Sequence, residues 1–182
     1  MPTLNPEIFK EILQSILDKY QTYTVKIEIF MLSGKEPFEA VLNYFSRTDC
    51  VTVYRNSIEF EVKEKCIRLD YDHALLKSIF KAVGNSAKKL EVRDPPTEEK
   101  EREFLKNLIV EGLQKVVLSC DLPDVLFDRL KNLSSIKEVS LEYYSDITNT
   151  FNFLPQCESL EIEFDFEKFA EIPPKLHCLS FC

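Results

Sequence analysis

Ala87-Lys-Lys-Leu-Glu-Val92 sets a phrase that returns four more times, as Leu113-Gln-Lys-Val-Val-Leu118, Ile136-Lys-Glu-Val-Ser-Leu141, Cys157-Glu-Ser-Leu-Glu-Ile162 and Leu176-His-Cys-Leu-Ser-Phe181. Each version is apolar at its first, fourth and sixth positions, and the starts lie 26, 23, 21 and 19 residues apart. A phrase of this shape is the strand of a leucine-rich repeat, in which a strand and a helical return form one unit. One unit cannot bury its own apolar face, so its stability comes from stacking on its neighbours. The sequence therefore predicts a short, irregular α/β solenoid over residues 72–182. The asparagine usual after the phrase is replaced by Asp121 and Asp165 in two units and by Pro95 and Tyr144 in others. The shrinking period predicts curvature that tightens along the chain.

The segments between the phrases fit this reading. Ala74, Leu75, Leu76, Ile79, Phe80 and Val83 have helical spacing and run into Gly84, a left-handed cap. Thr97-Glu98-Glu99 opens a helix expected to run to Glu111, and a third is expected over Val125–Leu133. Shorter returns are expected around Thr148–Leu154 and Phe166–Ile172, punctuated by Pro155, Pro173 and Pro174. The strands themselves are placed at Lys88–Arg93, Gln114–Ser119, Lys137–Tyr143 and Glu158–Phe164, with a last one reaching Phe181. Asp94–Glu101, with Pro95 and Pro96 and a run of charge, reads as a surface loop because the repeats continue across it.

Upstream, Asn5 and Pro6 start a helix whose stripe is Ile8, Ile12, Leu13, Ile16 and Leu17. From Thr22 to Tyr71 the texture reads as β. Val25, Ile27 and Ile29 alternate with Lys26 and Glu28, Glu39–Phe45 and Cys50–Tyr54 follow, then Ile58, Phe60 and Val62 alternate with Glu59 and Glu61, and Cys66–Tyr71 ends the run. The fold class read from sequence is thus α/β: an N-terminal helix and antiparallel β meander (1–71) capping a short leucine-rich-repeat-like α/β solenoid (72–182), as one continuous folding unit.

At 182 residues with 45% apolar and 30% charged residues, the chain can bury a core without staples. Its net charge of −8 argues against a nucleic-acid partner. Only 3 glycines are present, so phosphate-cradling loops are not expected. The 6 cysteines form no Cys-x-x-Cys pair, and Cys50, Cys66 and Cys157 stand where small apolar residues would serve. Neither a membrane span nor a secretory leader is read from the sequence, which predicts reduced thiols and a cytoplasmic or nuclear location.

Between the apolar positions of each phrase lie residues expected on one face of the stacked strands, the concave one: Lys89 and Glu91, Lys115 and Val117, Glu138 and Ser140, Ser159 and Glu161, and Cys178 and Ser180. With Glu142, Tyr143 and Tyr144 after the third phrase, these mix charge, aromatic and apolar character, which suits recognition of a protein surface. Catalysis is not expected. His73 reads as a capping or surface residue beside Asp70 and Asp72. His177 and Cys178 are strand neighbours that point to opposite faces, and with Cys182 they lack a fourth metal ligand. No cofactor is called for. A structural subunit that associates through the N-terminal helix or the end strand Leu176–Cys182 is the alternative reading.

From about Val25 to Leu141 the chain resembles the FTH (F-box-associated) region of nematode F-box A-type proteins. The residues that carry the likeness are Val25-Lys-Ile-Glu-Ile-Phe30, Cys50-Val-Thr-Val-Tyr54, Ile58-Glu-Phe60, Leu75-Leu-Lys-Ser-Ile-Phe80 before Lys88-Lys-Leu-Glu-Val92, and Phe127-Asp-Arg-Leu130 before Ile136-Lys-Glu-Val-Ser-Leu141. Each motif is degenerate, and their order carries the match. The resemblance implies a substrate receptor of a cullin-type ubiquitin ligase that holds its target on the repeat region. Leu4-Asn-Pro-Glu-Ile8 and Ile12-Leu13 are similar to the opening helix of an F-box. With β structure expected from Thr22, the rest of that three-helix bundle is expected to be truncated or absent.

Overall fold

A computed structural model of the chain describes residues 5–19, 24–84, 86–95, 97–120, 122–142 and 157–163. Among them are six helices: α1 (Pro6–Lys19), α2 (Thr24–Leu32), α3 (Lys35–Phe45), α4 (Leu76–Val83), α5 (Glu99–Leu108) and α6 (Asp124–Lys131). Seven strands accompany them: β1 (Cys50–Val53), β2 (Ser57–Val62), β3 (Lys65–Asp70), β4 (Lys89–Val92), β5 (Lys115–Leu118), β6 (Glu138–Glu142) and β7 (Ser159–Glu163). The strands form one open, mixed sheet in the order β3-β2-β1-β4-β5-β6-β7. β1, β2 and β3 pair antiparallel, while β1, β4, β5, β6 and β7 pair parallel. β1 joins the two halves, because it bonds β2 on one side and β4 on the other.

The N-terminus corrects the expected β meander. Its first two strands are helices α2 and α3, so the meander is confined to residues 50–70. In α2, Ile27, Phe30 and Met31 are buried at helical spacing, while Val25, Ile29 and Leu32 lie outward at 62, 63 and 68% exposure. Apolar residues on both faces erase the helical period and leave an accidental alternation. In α3, Pro37, Val41 and Phe45 are buried one turn apart, and the proline is tolerated in the first turn. α1 begins as expected, with the Glu7 N–H donating to Asn5 Oδ1 at 3.1 Å. Its stripe is narrower than expected: Leu13 and Leu17 are buried and Ile16 half-buried, whereas Ile8 and Ile12 are exposed.

Downstream, the elements fall where the phrase places them. Gly84 ends α4 at φ +45°, with its N–H donating to Phe80 O at 3.0 Å, and that left-handed backbone suits glycine. α5 is capped one residue later than Thr97-Glu98-Glu99 suggests. The Glu101 carboxylate, buried, accepts from the N–H groups of Thr97 and Glu98 at 2.6 and 3.0 Å.

The apolar side of the sheet is formed by Val51 and Val53, Ile58 and Phe60, Ile67 and Leu69, Leu90 and Val92, Val116 and Leu118, and Val139 and Leu141. These share one core with the buried residues of the helices. A file of rings crosses it, from Phe45 to Phe60 at 5.3 Å, Phe60 to Phe80 at 5.7 Å and Phe80 to Phe104 at 4.7 Å between centroids. The file passes the 71/72 boundary without a break. The helices thus lie on one side of the sheet, which leaves the other side bare of described elements.

Candidate protein-binding face

Parallel register decides what the bare side displays. Lys89 pairs with Lys115, Lys115 with Glu138, and Glu138 with Ser159. In the next column Glu91, Val117, Ser140 and Glu161 are partners in turn. Side chains alternate along a strand, so residues flanking buried Leu90, Val116 and Val139 and half-buried Leu160 face the opposite way. The eight predicted column residues from Lys89 to Glu161 therefore lie together on one face, and Glu142 continues it beside Glu163. Tyr143, Tyr144, Cys178 and Ser180 lie outside the described residues, as do the last strand, Leu176–Cys182, and the returns around residues 148–154 and 166–172.

The columns also run beyond the repeats. Cys50 sits beside Lys89 and beside Glu61, which faces Cys66, and Thr52 sits beside Glu91 and beside Glu59, which faces Arg68. Sequence reasoning assigned these residues to the N-terminal cap of the same folding unit. The signal was available, since Cys50-Val-Thr-Val53 has the same alternation as the phrase. Cys66 is exposed on this face and does not pack inward, which corrects its reading as a core residue, whereas Cys50 is buried. Cys50, Cys66, Cys120 and Cys157 are free thiols.

A charged network holds the centre of the face. Glu91 bonds Lys89 at 2.5 Å and Arg93 at 2.8 Å, and Arg93 also pairs with Glu142 across β5. Ser119 Oγ donates to Glu142 Oε2 at 2.8 Å and completes the link. Arg93, absent from the predicted set, is the hub, one pleat beyond the phrase. The Arg93 cation also answers a local problem, since Glu142 and Glu163 are direct cross-strand partners of like charge. Burial alone would raise the Glu91 carboxyl, but hydrogen bonds from Lys89 and Arg93 outweigh it and hold the group below its ordinary value. Burial, with Glu91 nearby, pushes the Cys50 thiol up to about 11. Lys115 Nζ meets Glu138 Oε2 at 3.0 Å. At the β3 end the Arg68 guanidinium lies 3.9 Å above the Tyr54 ring and donates to Ser57 Oγ at 2.8 Å.

Between these long side chains lie short ones, Thr52, Val117 and Ser140, all buried. The arrangement offers paired charges around small residues. His73 is a local brace: its Nδ1 accepts from the Leu75 N–H at 3.3 Å, and its Nε2 faces Glu28 at 3.8 Å. Among the described residues, no group of three or more His, Cys, Asp or Glu side chains is placed to hold a metal ion, and no helix is long and apolar enough to cross a membrane. Comparison with protein-family models, with curated proteins and with solved structures gives no significant match.

Proposed function

We propose that the chain is a non-catalytic protein-binding module and that its partner lies on the bare face of the sheet. The observation that carries this is the register: four successive parallel strands bring the variable positions of the phrase into columns on the side opposite the helices. We take these strands as units of a short leucine-rich-repeat-like solenoid. In support, the fourth positions Leu90, Val116, Val139 and Leu160 stack in register, as do the sixth positions Val92, Leu118, Leu141 and Ile162.

The resemblance to F-box-associated proteins makes the partner a target presented to a cullin-type ubiquitin ligase. Three packed helices, α1 to α3, precede the sheet where the sequence led us to expect one. A helical N-terminus supports the receptor reading, while α2 takes Val25–Phe30 out of the β run that opened the resemblance. The test uses the Lys115–Glu138 pair. Exchanging the charges (Lys115→Glu with Glu138→Lys) keeps the pair's attraction while inverting what a partner meets. Affinity purification from the native source with wild-type bait is expected to recover a target and a cullin adaptor. The exchanged bait is expected to lose the target, keep the adaptor and melt at the same temperature. Equal recovery of the target by both baits would rule out this face.

One observation favours a second reading, an assembly subunit. Val25, Ile29 and Leu32 form an outward apolar stripe on α2, at the spacing of a helix–helix seam. A concentration-dependent increase in mass, abolished by Ile29→Lys, would support this role over the receptor.

A further inference from the structure

A second surface lies away from the bare face, where α1, α3 and the β2–β3 turn meet. The cleft there has a volume of about 290 Å³, with Leu13, Ala40 and Tyr44 as apolar lining and Gln14 and Asn43 as amides. Its rim holds three cations, Lys10, Arg47 and Lys63, against one acid, Glu11. That balance opposes the net charge of −8 of the whole chain. Lys10 is bonded to Glu7 at 2.6 Å. Arg47 and Lys63 are exposed, and no carboxylate among the described residues lies within ion-pair reach of either.

Two features bring Arg47 and Lys63 together. Tyr44 Oη donates to Val62 O at 3.3 Å and ties the end of α3 to the end of β2. Arg47 follows Tyr44 by less than a turn, and Lys63 is the residue after Val62. The connection from β2 to β3 is then made by Lys63 and Glu64 alone, at φ +50° and +67°. Two left-handed residues suit the twist of a tight hairpin, but that position ordinarily takes Asn-Gly. A non-glycine residue there costs on the order of 1–2 kcal/mol, and the turn carries a lysine and a glutamate at both places. Strained backbone held in place by its surroundings is found where it positions a group for use. Here it places Lys63 in the lining of the cleft.

We propose that this cleft binds an acidic segment of a partner protein, with a carboxylate between Arg47 and Lys63 and a neighbouring apolar side chain against Leu13, Ala40 and Tyr44. The apolar lining distinguishes the site from a plain anion site, because a bare anion would leave it wet. The small volume suits an apolar side chain in the cleft with its neighbouring carboxylate at the rim, as an anchor in an extended contact does.

The test is fluorescence anisotropy with a short labelled peptide of glutamates around one leucine and one phenylalanine, beside its lysine counterpart. The glutamate peptide is expected to bind wild-type protein, and Arg47→Glu with Lys63→Glu to weaken it by about tenfold or more. Both sites are exposed, so the fold is expected to survive, and an unchanged melting temperature checks this. Lys77→Glu with Lys81→Glu, two exposed positions on α4, serves as a charge-matched control that leaves binding intact. Equal binding of both peptides, or no effect of the Arg47 and Lys63 changes, overturns the proposal. So does inorganic phosphate that displaces the peptide completely at matched charge, which would mark a small-anion site.

Discussion

Glu91 shows how much of the candidate face depends on single side chains. It receives Lys89 and Arg93 at once, and through Arg93 it reaches Glu142 two strands away. Its carboxyl, held below the ordinary glutamate value of 4.5, stabilises the fold above that value. The contribution is lost as pH falls through the depressed folded value, because protonation removes the acceptor of both cations. Glu91→Gln is expected to cost about 1–3 kcal/mol at neutral pH, the scale of hydrogen bonds to charged groups. Its melting temperature is expected to fall less than that of wild type between pH 5 and pH 3, measured by thermal unfolding across that range. A parallel fall in both proteins would remove Glu91 from the network. The sequence marked Lys89, Glu91 and Glu142 as one face but gave no sign of Arg93 as their link, because pairing across three strands depends on register that no local pattern encodes.

At the scale of elements, legibility followed the number of faces a segment buries. β4 alternates plainly between a buried and a half-buried face, and although Val117 and Ser140 are buried on the far face of β5 and β6, all three strands keep the apolar positions of the phrase. The helix between β5 and β6 has a largely polar outer face that marks its period. α2 carries apolar residues on both its buried and its exposed face, so Val25, Ile27 and Ile29 fit a strand as well as a helix. α3 carried a clearer signal in the four-residue spacing of Pro37, Val41 and Phe45, which the neighbouring β assignment obscured. Helix and strand make opposite predictions for α2. A strand places Val25, Ile27 and Ile29 on the same face, where truncations cost alike. The helix buries Ile27 completely and exposes Ile29 at 63%. Ile27→Ala is therefore expected to cost about 2–5 kcal/mol and Ile29→Ala under about 0.5 kcal/mol, measured by denaturant unfolding. Similar losses at both would restore the strand.

At the scale of the whole molecule, the seven described strands make one sheet, and the described helices share one core with it. Sequence reading placed a division at residue 71, within one folding unit, where the texture changed; β1 pairs with both halves and the ring file from Phe45 to Phe104 crosses that point. What the phrase could indicate was which residues share a face. Which side the helices leave bare depends on where every return packs, and that is a property of the assembled fold. The central claim is that this bare side is where a partner sits. The most direct test is lysine acetylation, read by mass spectrometry, on the free protein and on the complex recovered from the native source. The account predicts that the partner protects Lys89 and Lys115 and leaves Lys77 and Lys81 of α4 as reactive as before. Protection of Lys77 and Lys81, with Lys89 and Lys115 unchanged, would contradict it.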